Sequence, residues 1–301
     1  MRTYRVGTRG SKLALWQAEH VVAGLSTAVE GFQAELVTIR TTADQRMDVP
    51  LQEIGDKSLF IKEIEAALLD GSIDFAVHSL KDVPSVLDER FTLAAVLERD
   101  DPRDVLLTRD GGGLASAPEG ARVGSSSLRR EAQLRARRPD LRFEAIRGNV
   151  DTRLRKLEEG EYDAIMLAAA GLRRLGVRVP SRAFLDPSTC LPAPGQAVIC
   201  VEALADAEWL DELRTIEDAI TRQCIDAERT FAARLDAGCR VPVAAYCCPA
   251  DDDAVQLQVA VASRDGRRLI RVSGEGMEPV ELGERIAEQA LAQGAAELLA
   301  S

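Results

Sequence analysis

Histidine and aromatic side chains are scarce in this chain: His20 and His78 are its two histidines, and Phe, Trp and Tyr together make up 4% of 301 residues. With so few imidazoles, and six cysteines that include no Cys-x-x-Cys pair, the ligand spacing of a zinc site is missing and no metal is expected. The thiols Cys190, Cys200, Cys224, Cys239, Cys247 and Cys248 stand in a chain with no visible secretory leader, so they read as free thiols rather than as a disulfide framework. The longest apolar run, residues 164–172, falls far short of the roughly 20 residues that cross a bilayer. Residues 1–25 scatter Arg2, Arg5, Arg9 and Lys12 through a stretch without an apolar block or a small-residue cleavage site. A cytoplasmic location without a membrane partner is the expectation.

The formal charge of −11 argues against a general polyanion binder, yet the positive charge is concentrated. Between Arg122 and Lys156 eleven basic residues face four acids, and Phe143 is the single aromatic among them. Nucleic-acid surfaces interleave basic residues with aromatic platforms on which bases stack. The cluster is better suited to a small, multiply charged anion.

A length of 301 residues suggests two or three domains. Residues 4–8 read as a strand, followed by a helix capped by Ser11 whose Leu15, Ala18, Val22, Leu25 and Val29 recur at spacings of three and four. Residues 35–40 form a second strand. Residues 41–57 show neither period and make an unusually long loop, of the kind that is mobile and functional. Ser58 opens the next helix, with Phe60, Ile64, Ala67 and Leu68 inward, and a third strand runs over 73–78. This β-α-β-α-β succession predicts a parallel sheet.

A second alternation places strands at 105–108, 122–125, 141–146 and 164–168, with helices from Ser127 and Asp151. Leu191-Pro192-Ala193-Pro194-Gly195 reads as a crossing linker, and the strand at 198–202 returns to the first sheet. Helical pattern over 207–237 precedes strands at 241–247, 255–262 and 268–273, a hairpin at Asp265-Gly266 and a closing helix over 279–299. The domains expected are residues 1–97 with 196–216, then 98–195, then 217–301: two α/β lobes and a small α+β unit. A cleft between two such lobes is a favoured ligand site.

Three clusters carry chemistry. In His78-Ser79-Leu80-Lys81-Asp82-Val83-Pro84 an alternating strand ends on a base and an acid, and Pro84 bars a continuing central strand. Ligands of open α/β sheets bind beyond the strands' carboxyl ends, so Asp82 and Lys81 are candidates there; the bland alternative is a pair of solvated charges. Gly124-Ser125-Ser126-Ser127-Leu128-Arg129-Arg130 and Arg147-Gly148-Asn149 each read as a strand end turning into a helix, whose N-terminal N–H groups favour anions. Arginine's planar fork pairs with carboxylate or phosphate, so Arg129, Arg130, Arg147 and Arg153 imply a ligand with several such groups, while Arg135, Arg137 and Arg138 read as a solvated helix face. Cys239, in a turn beside Arg240, is the candidate nucleophile, against the alternative of a thiol that merely packs.

Together these motifs resemble the porphobilinogen deaminase (hydroxymethylbilane synthase) family over about residues 6–246. The resemblance is carried by Thr8-Arg9-Gly10-Ser11 before Leu13-Ala14-Leu15-Trp16-Gln17-Ala18, Lys57 before Leu59-Phe60, the run from His78 to Pro84, and Arg99-Asp100-Asp101-Pro102-Arg103-Asp104. The two arginine motifs, Ala170-Gly171-Leu172 with Arg174-Leu175, and Gly238-Cys239 before Val241-Pro242 complete it. It implies two doubly wound lobes resembling type II periplasmic binding proteins plus a small C-terminal α+β domain. The implied activity joins four porphobilinogen units head to tail into linear hydroxymethylbilane, with loss of ammonia, for haem and other tetrapyrroles.

The implied cofactor is a dipyrromethane held through a thioether on Cys239. Each pyrrole carries an acetate and a propionate, which accounts for the arginine surplus. The resemblance assigns catalysis to Asp82, Lys81 and Arg147, and cofactor binding to Cys239, Asp82, Lys81, Ser127, Arg129, Arg130 and Gly148. It assigns substrate carboxylates to Arg9, Ser11, Lys57, Arg147, Arg153 and Arg174. A monomer acting on a small molecule, without nucleic acid, is expected. Departures from the family pattern are Asp56 and Ser58 around Lys57, Ala197 after Gln196, and Ala237 before Gly238. A two-lobed receptor for a small polycarboxylate is the alternative from another class, and it leaves Cys239 idle.

Overall fold

The computed structural model describes residues 2–41, 61–236 and 241–300. The expected loop beyond Thr41, with Lys57, Ser58 and Phe60, and the turn holding Ala237 and Cys239 lie outside the described residues. The chain divides into two compact units, Met1–Asp100 with Ala197–Arg222 and Asp101–Gln196 with Gln223–Ser301.

The first unit is a five-stranded sheet in the order β2-β1-β3-β9-β4. Strand β1 (Thr3–Arg9) pairs in parallel with β2 (Gln33–Ile39) and β3 (Phe75–Ser79). Strand β9 (Ile199–Leu204) returns antiparallel to both β3 and β4 (Phe91–Val96). Helix α1 (Lys12–Ala28) starts where Ser11 Oγ accepts the N–H of Ala14, and it seats Ala18, Val21 and Leu25 against Phe75, Val77 and Val201. Helix α2 (Lys62–Leu69) covers the other face with Ile64 and Leu68. The expected parallel core and the returning strand are both present. Strand β4 was not legible, because Phe-Thr-Leu-Ala-Ala-Val lacks alternation and its register slips between Leu93 and Ala95.

The second unit holds two sheets. One, in the order β5-β8-β6-β7, pairs β6 (Arg122–Gly124) in parallel with β7 (Arg142–Glu144) and β8 (Ala164–Ala168), while β5 (Asp104–Thr108) runs antiparallel to β8. Helices α3 (Leu128–Arg135), α4 (Val150–Glu158) and α5 (Ala169–Arg174) follow their strands. The other sheet is an antiparallel meander of β10 (Val243–Pro249), β11 (Val255–Ala262) and β12 (Leu269–Gly276). The helical stretch after β9 is broken into α6 (Leu210–Arg214) and α7 (Ala219–Arg234), and the closing helix into α8 (Pro279–Ala292) and α9 (Ala295–Ala300). Phe231 is fully buried among Leu257, Val259 and Ile286, and burying such a side chain contributes about 1.5–3 kcal/mol. The architecture is α/β, with a five-stranded mixed sheet in the first unit, a four-stranded mixed sheet in the second, and a small α+β C-terminal part.

Ala197, one of the departures noted above, lies at φ 72°, in the left-handed region, and its carbonyl accepts the N–H of Asp100. An L-residue there costs roughly 1–2 kcal/mol, against about 0.5–1 kcal/mol for glycine's extra freedom in the unfolded chain. Ala197→Gly is therefore expected to stabilise the chain by up to about 1 kcal/mol. A urea midpoint that falls in this variant contradicts the account.

Candidate active site

Strand β3 stops at Ser79 because Leu80–Asp82 tightens into a single 3-10 turn, with Leu80 buried and its N–H bonded to the carbonyl of Val198. That anchor leaves Lys81 and Asp82 half-buried at the strand's carboxyl end. Arg9, at the end of β1, and Ser11, at the start of α1, line the same pocket of about 80 Å³ as Asp82, together with Gln17, His78 and Ser79. Asp82 is the one carboxylate among the described lining residues. Buried Gln17 donates to Ser79 Oγ at 2.8 Å. The expected residues Arg9, Ser11 and Asp82 are thus brought together within one unit. Gln17 and Ser79 went unassigned, although both stand inside the motifs that flag the site.

In the second unit, two turns are tied to each other. Ser126 Oγ donates to the carbonyl of Ile146 (2.7 Å) and accepts its N–H (3.1 Å), while Ser125 N–H bonds to the carbonyl of Glu144. Ser127 caps α3 and Asn149 caps α4, so α4 begins one residue earlier than expected, at Val150. Arg147 and Gly148 precede that cap, Arg153 donates from Nε to the carbonyl of Gly148 (2.8 Å), and Arg174 ends α5 half-buried. Gly148 has φ 106°, and a Cβ there would lie 2.7 Å from Thr152 Cγ2, on the residue that Asn149 caps. Gly148→Ala is expected to cost about 1–3 kcal/mol through strain and crowding at the cap. An unchanged melting temperature refutes that expectation.

Arg129 and Arg130, expected to meet a ligand, are both buried on Asp104, which is fully enclosed. Arg129 Nη1 lies 2.7 Å from Oδ2, and Arg130 reaches Oδ1 from Nη2 (2.7 Å) and Nε (3.0 Å). Gln196 Nε2 also donates to Asp104, and the carbonyl of Leu191 accepts from Arg129 and Gln133. Isolated charges cannot be buried cheaply, so the pairing was dictated once these side chains packed inward. Burial pushes the Cys190 thiol up to about 12, so it adds no charge. Two guanidinium groups on one carboxylate leave a net positive charge beneath the N-terminus of α3. Glu131, in that helix's first turn, is pushed up to about 7 by burial despite Arg135 and Ser125, which reduces the negative charge beside an incoming anion.

Of the arginines expected on a solvated face, Arg137 is exposed as expected, whereas Arg135 and Arg138 are half-buried. Arg138 bonds to Asp140 and to the carbonyls of Leu114, Ala117 and Pro118, and Arg137 to the carbonyl of Ser188, while Arg135 lies 4.9 Å over the Phe143 ring. Cys200, Cys224 and Cys247 are buried in strand or helix, and Cys248 is half-buried.

Strand ends that turn into helix N-termini capped by Ser11, Ser127 and Asn149, with Asp82 at the end of β3, define an α/β protein with anion-favouring helix starts. The chain belongs to the porphobilinogen deaminase family. The family model for the porphobilinogen deaminase dipyromethane cofactor binding domain matches residues 4–212, and that for the C-terminal domain matches residues 222–292. Porphobilinogen deaminase of Roseiflexus sp. is 50% identical over 301 residues, covering 99% of each chain. That of Halalkalibacterium halodurans is 47% identical over 301 residues, covering 99% of this chain and 97% of the relative. Among solved structures, the Bordetella pertussis BvgS periplasmic VFT2 domain is similar at a TM-score of 0.43 and 15% identity, over 71% of this chain and 86% of that one.

Proposed function

We infer that this chain is a hydroxymethylbilane synthase, a transferase that joins four porphobilinogen molecules head to tail and releases one ammonia at each step. The observation that carries this reading is the pocket in which Asp82 shares walls with Arg9 and Ser11, in a chain whose family is established over nearly its whole length.

A dipyrromethane carries several carboxylates and two pyrrole N–H donors. The residue types fit it: cations and helix N-termini capped by Ser127 and Asn149 for the carboxylates, and Asp82 for the pyrrole N–H groups. When bound, this cofactor supplies the free pyrrole α-carbon that serves as the first nucleophile. Cys239 would hold it as a thioether. Ser127 and Gly148 would receive its carboxylates at the two helix starts, with Arg129 and Arg130 supplying charge from behind while they keep Asp104.

The remaining roles belong to side chains of this protein. Arg9, Ser11, Lys57, Arg147, Arg153 and Arg174 hold the acetates and propionates of porphobilinogen, and Lys81 adds charge beside Asp82. As the aminomethyl C–N bond of porphobilinogen breaks, positive charge grows on its pyrrole nitrogen. Asp82 accepts that N–H, stabilises the cation, and carries off the α-proton once the new C–C bond has formed. Arg147 also assists ammonia departure. Acidic net charge and a single aromatic in the basic cluster support a small-molecule enzyme that binds no nucleic acid. No helix among the described residues is long and apolar enough to cross a membrane. A cytoplasmic monomer is the form proposed. The test is porphobilinogen consumption by the purified chain: four equivalents lost per bilane, with matching ammonia, supports the reading, and no consumption overturns it.

A further inference from the structure

His78 and Glu202 take no part in the roles above. They lie on adjacent antiparallel strands, β3 and β9, with Glu202 opposite Ala76 and Cys200 opposite His78, so both side chains point to the face covered by α2. His78 Nε2 is 2.9 Å from Glu202 Oε2, with side chains 5% and 0% exposed. The approach is close but poorly aligned, and neither oxygen of Glu202 receives a hydrogen bond in the described structure. An ionised carboxylate closed in without a donor is very costly. One extra proton in the pair removes that cost, as imidazolium with carboxylate or as imidazole with carboxylic acid.

Stability does not explain such a pair, because buried ion pairs replaced by apolar residues are often neutral or better. Position does. His78 lines the same pocket as Asp82, Arg9 and Ser11, and about 80 Å³ leaves room for water to bridge polar walls.

We propose that His78, braced by Glu202, is the proton store behind Asp82, giving one proton at ammonia departure and taking one back from the pyrrole α-carbon in every condensation. The proposal rests on the condensation reading above. The balance closes on itself. A bound aminomethyl group present as the free amine needs one proton for its C–N bond to break and ammonia to leave. The pyrrole α-carbon releases one proton when its C–H bond breaks after C–C formation, the electron pair returning to the ring. Asp82 carries both, and His78 and Glu202 act through it as positioning residues. The charged groups around the pair are Glu65 on α2, Asp88 and Arg90 before β4, and Arg9 and Asp82 at the pocket. Burial, and then the charge of Glu202, pushes Glu65 up to about 7, so a half-buried carboxyl beside the pair can also hold a proton near neutral pH.

The test compares His78→Gln, Glu202→Gln and the doubly apolar His78→Leu/Glu202→Leu. A positioned acid–base group contributes about 10²–10⁴-fold, so kcat is expected to fall at least about 10-fold with KM within about twofold. In all three variants kcat should fall with rising pH, where solvent must supply the proton, over a range in which the wild type is flat. The double variant guards against misfolding, since it removes both charges and should keep its melting temperature. With two histidines in the chain, the His78 imidazole is assignable by 15N NMR as the signal lost in His78→Gln. It should show a proton-sharing ring in the wild type and an ordinary neutral ring in Glu202→Gln. Folded variants that keep the wild-type kcat–pH profile, or a wild-type ring that is already ordinary and neutral, overturn the proposal while the condensation reading stands. A wild type that consumes no porphobilinogen overturns both.

Discussion

Asp82→Asn is expected to lower kcat for bilane formation by about 10²–10⁴-fold while leaving the fold intact. Asparagine has the shape of aspartate and the site is half-buried on a 3-10 turn, so packing around Leu80 is preserved. What is lost is the negative charge that meets a developing pyrrole cation, and the carrier of a proton. In a pocket walled by Arg9 and lacking any other described carboxylate, no neighbour can take over that charge. Steady-state turnover alongside a thermal melt checks the prediction: a folded variant with unimpaired turnover removes Asp82 from the chemistry.

The second large effect falls on stability. Asp104→Ala leaves Arg129 and Arg130 buried without their carboxylate, and removing one partner of a buried ion pair typically costs about 3–5 kcal/mol. The loss should be seen as a lowered urea midpoint, with loosening centred on the Leu191 to Gln196 crossing segment that the cluster holds. Burial alone would push the Asp104 carboxyl up, but the two guanidinium groups outweigh it and hold the carboxyl well below the ordinary carboxylate range. A depressed folded value means that the stabilisation is fully present above the unfolded value of about 3.9 and is lost as pH falls toward the folded one. The wild type should therefore lose stability on acidification below about pH 4, and Asp104→Ala should lack that share of the slope. Equal urea midpoints at pH 7 contradict the assignment.

Much of this was legible in the sequence where the signal is local. The run from Ile73 to Pro84 announced a strand, its stop and the acid at its end, because alternation and proline act on neighbouring residues. Ser11 and Ser127 announced helix starts for the same reason. Long-range pairing was not legible. Asp104 lies 25 residues from Arg129 and 92 from Gln196, and no local pattern marks it as their shared partner. The ion pairs of Arg129 and Arg130 with Asp104 were therefore not anticipated. Glu202, a single acid inside the apolar stretch from Val198 to Leu204, was a visible anomaly, but its meaning depends on His78 of the neighbouring strand. Strand β4 was missed because residues 91–96 show no apolar–polar alternation to detect.

The central claim is that pyrroles are added one at a time to a primer tethered through sulfur on this chain. Intact mass of the purified protein, before and after limiting porphobilinogen, tests it most directly. The account predicts an excess over the sequence mass equal to two linked pyrrole units, absent in Cys239→Ser, and a ladder of further single-pyrrole increments after substrate is added. A protein at its bare sequence mass that gains nothing on exposure to porphobilinogen would contradict it.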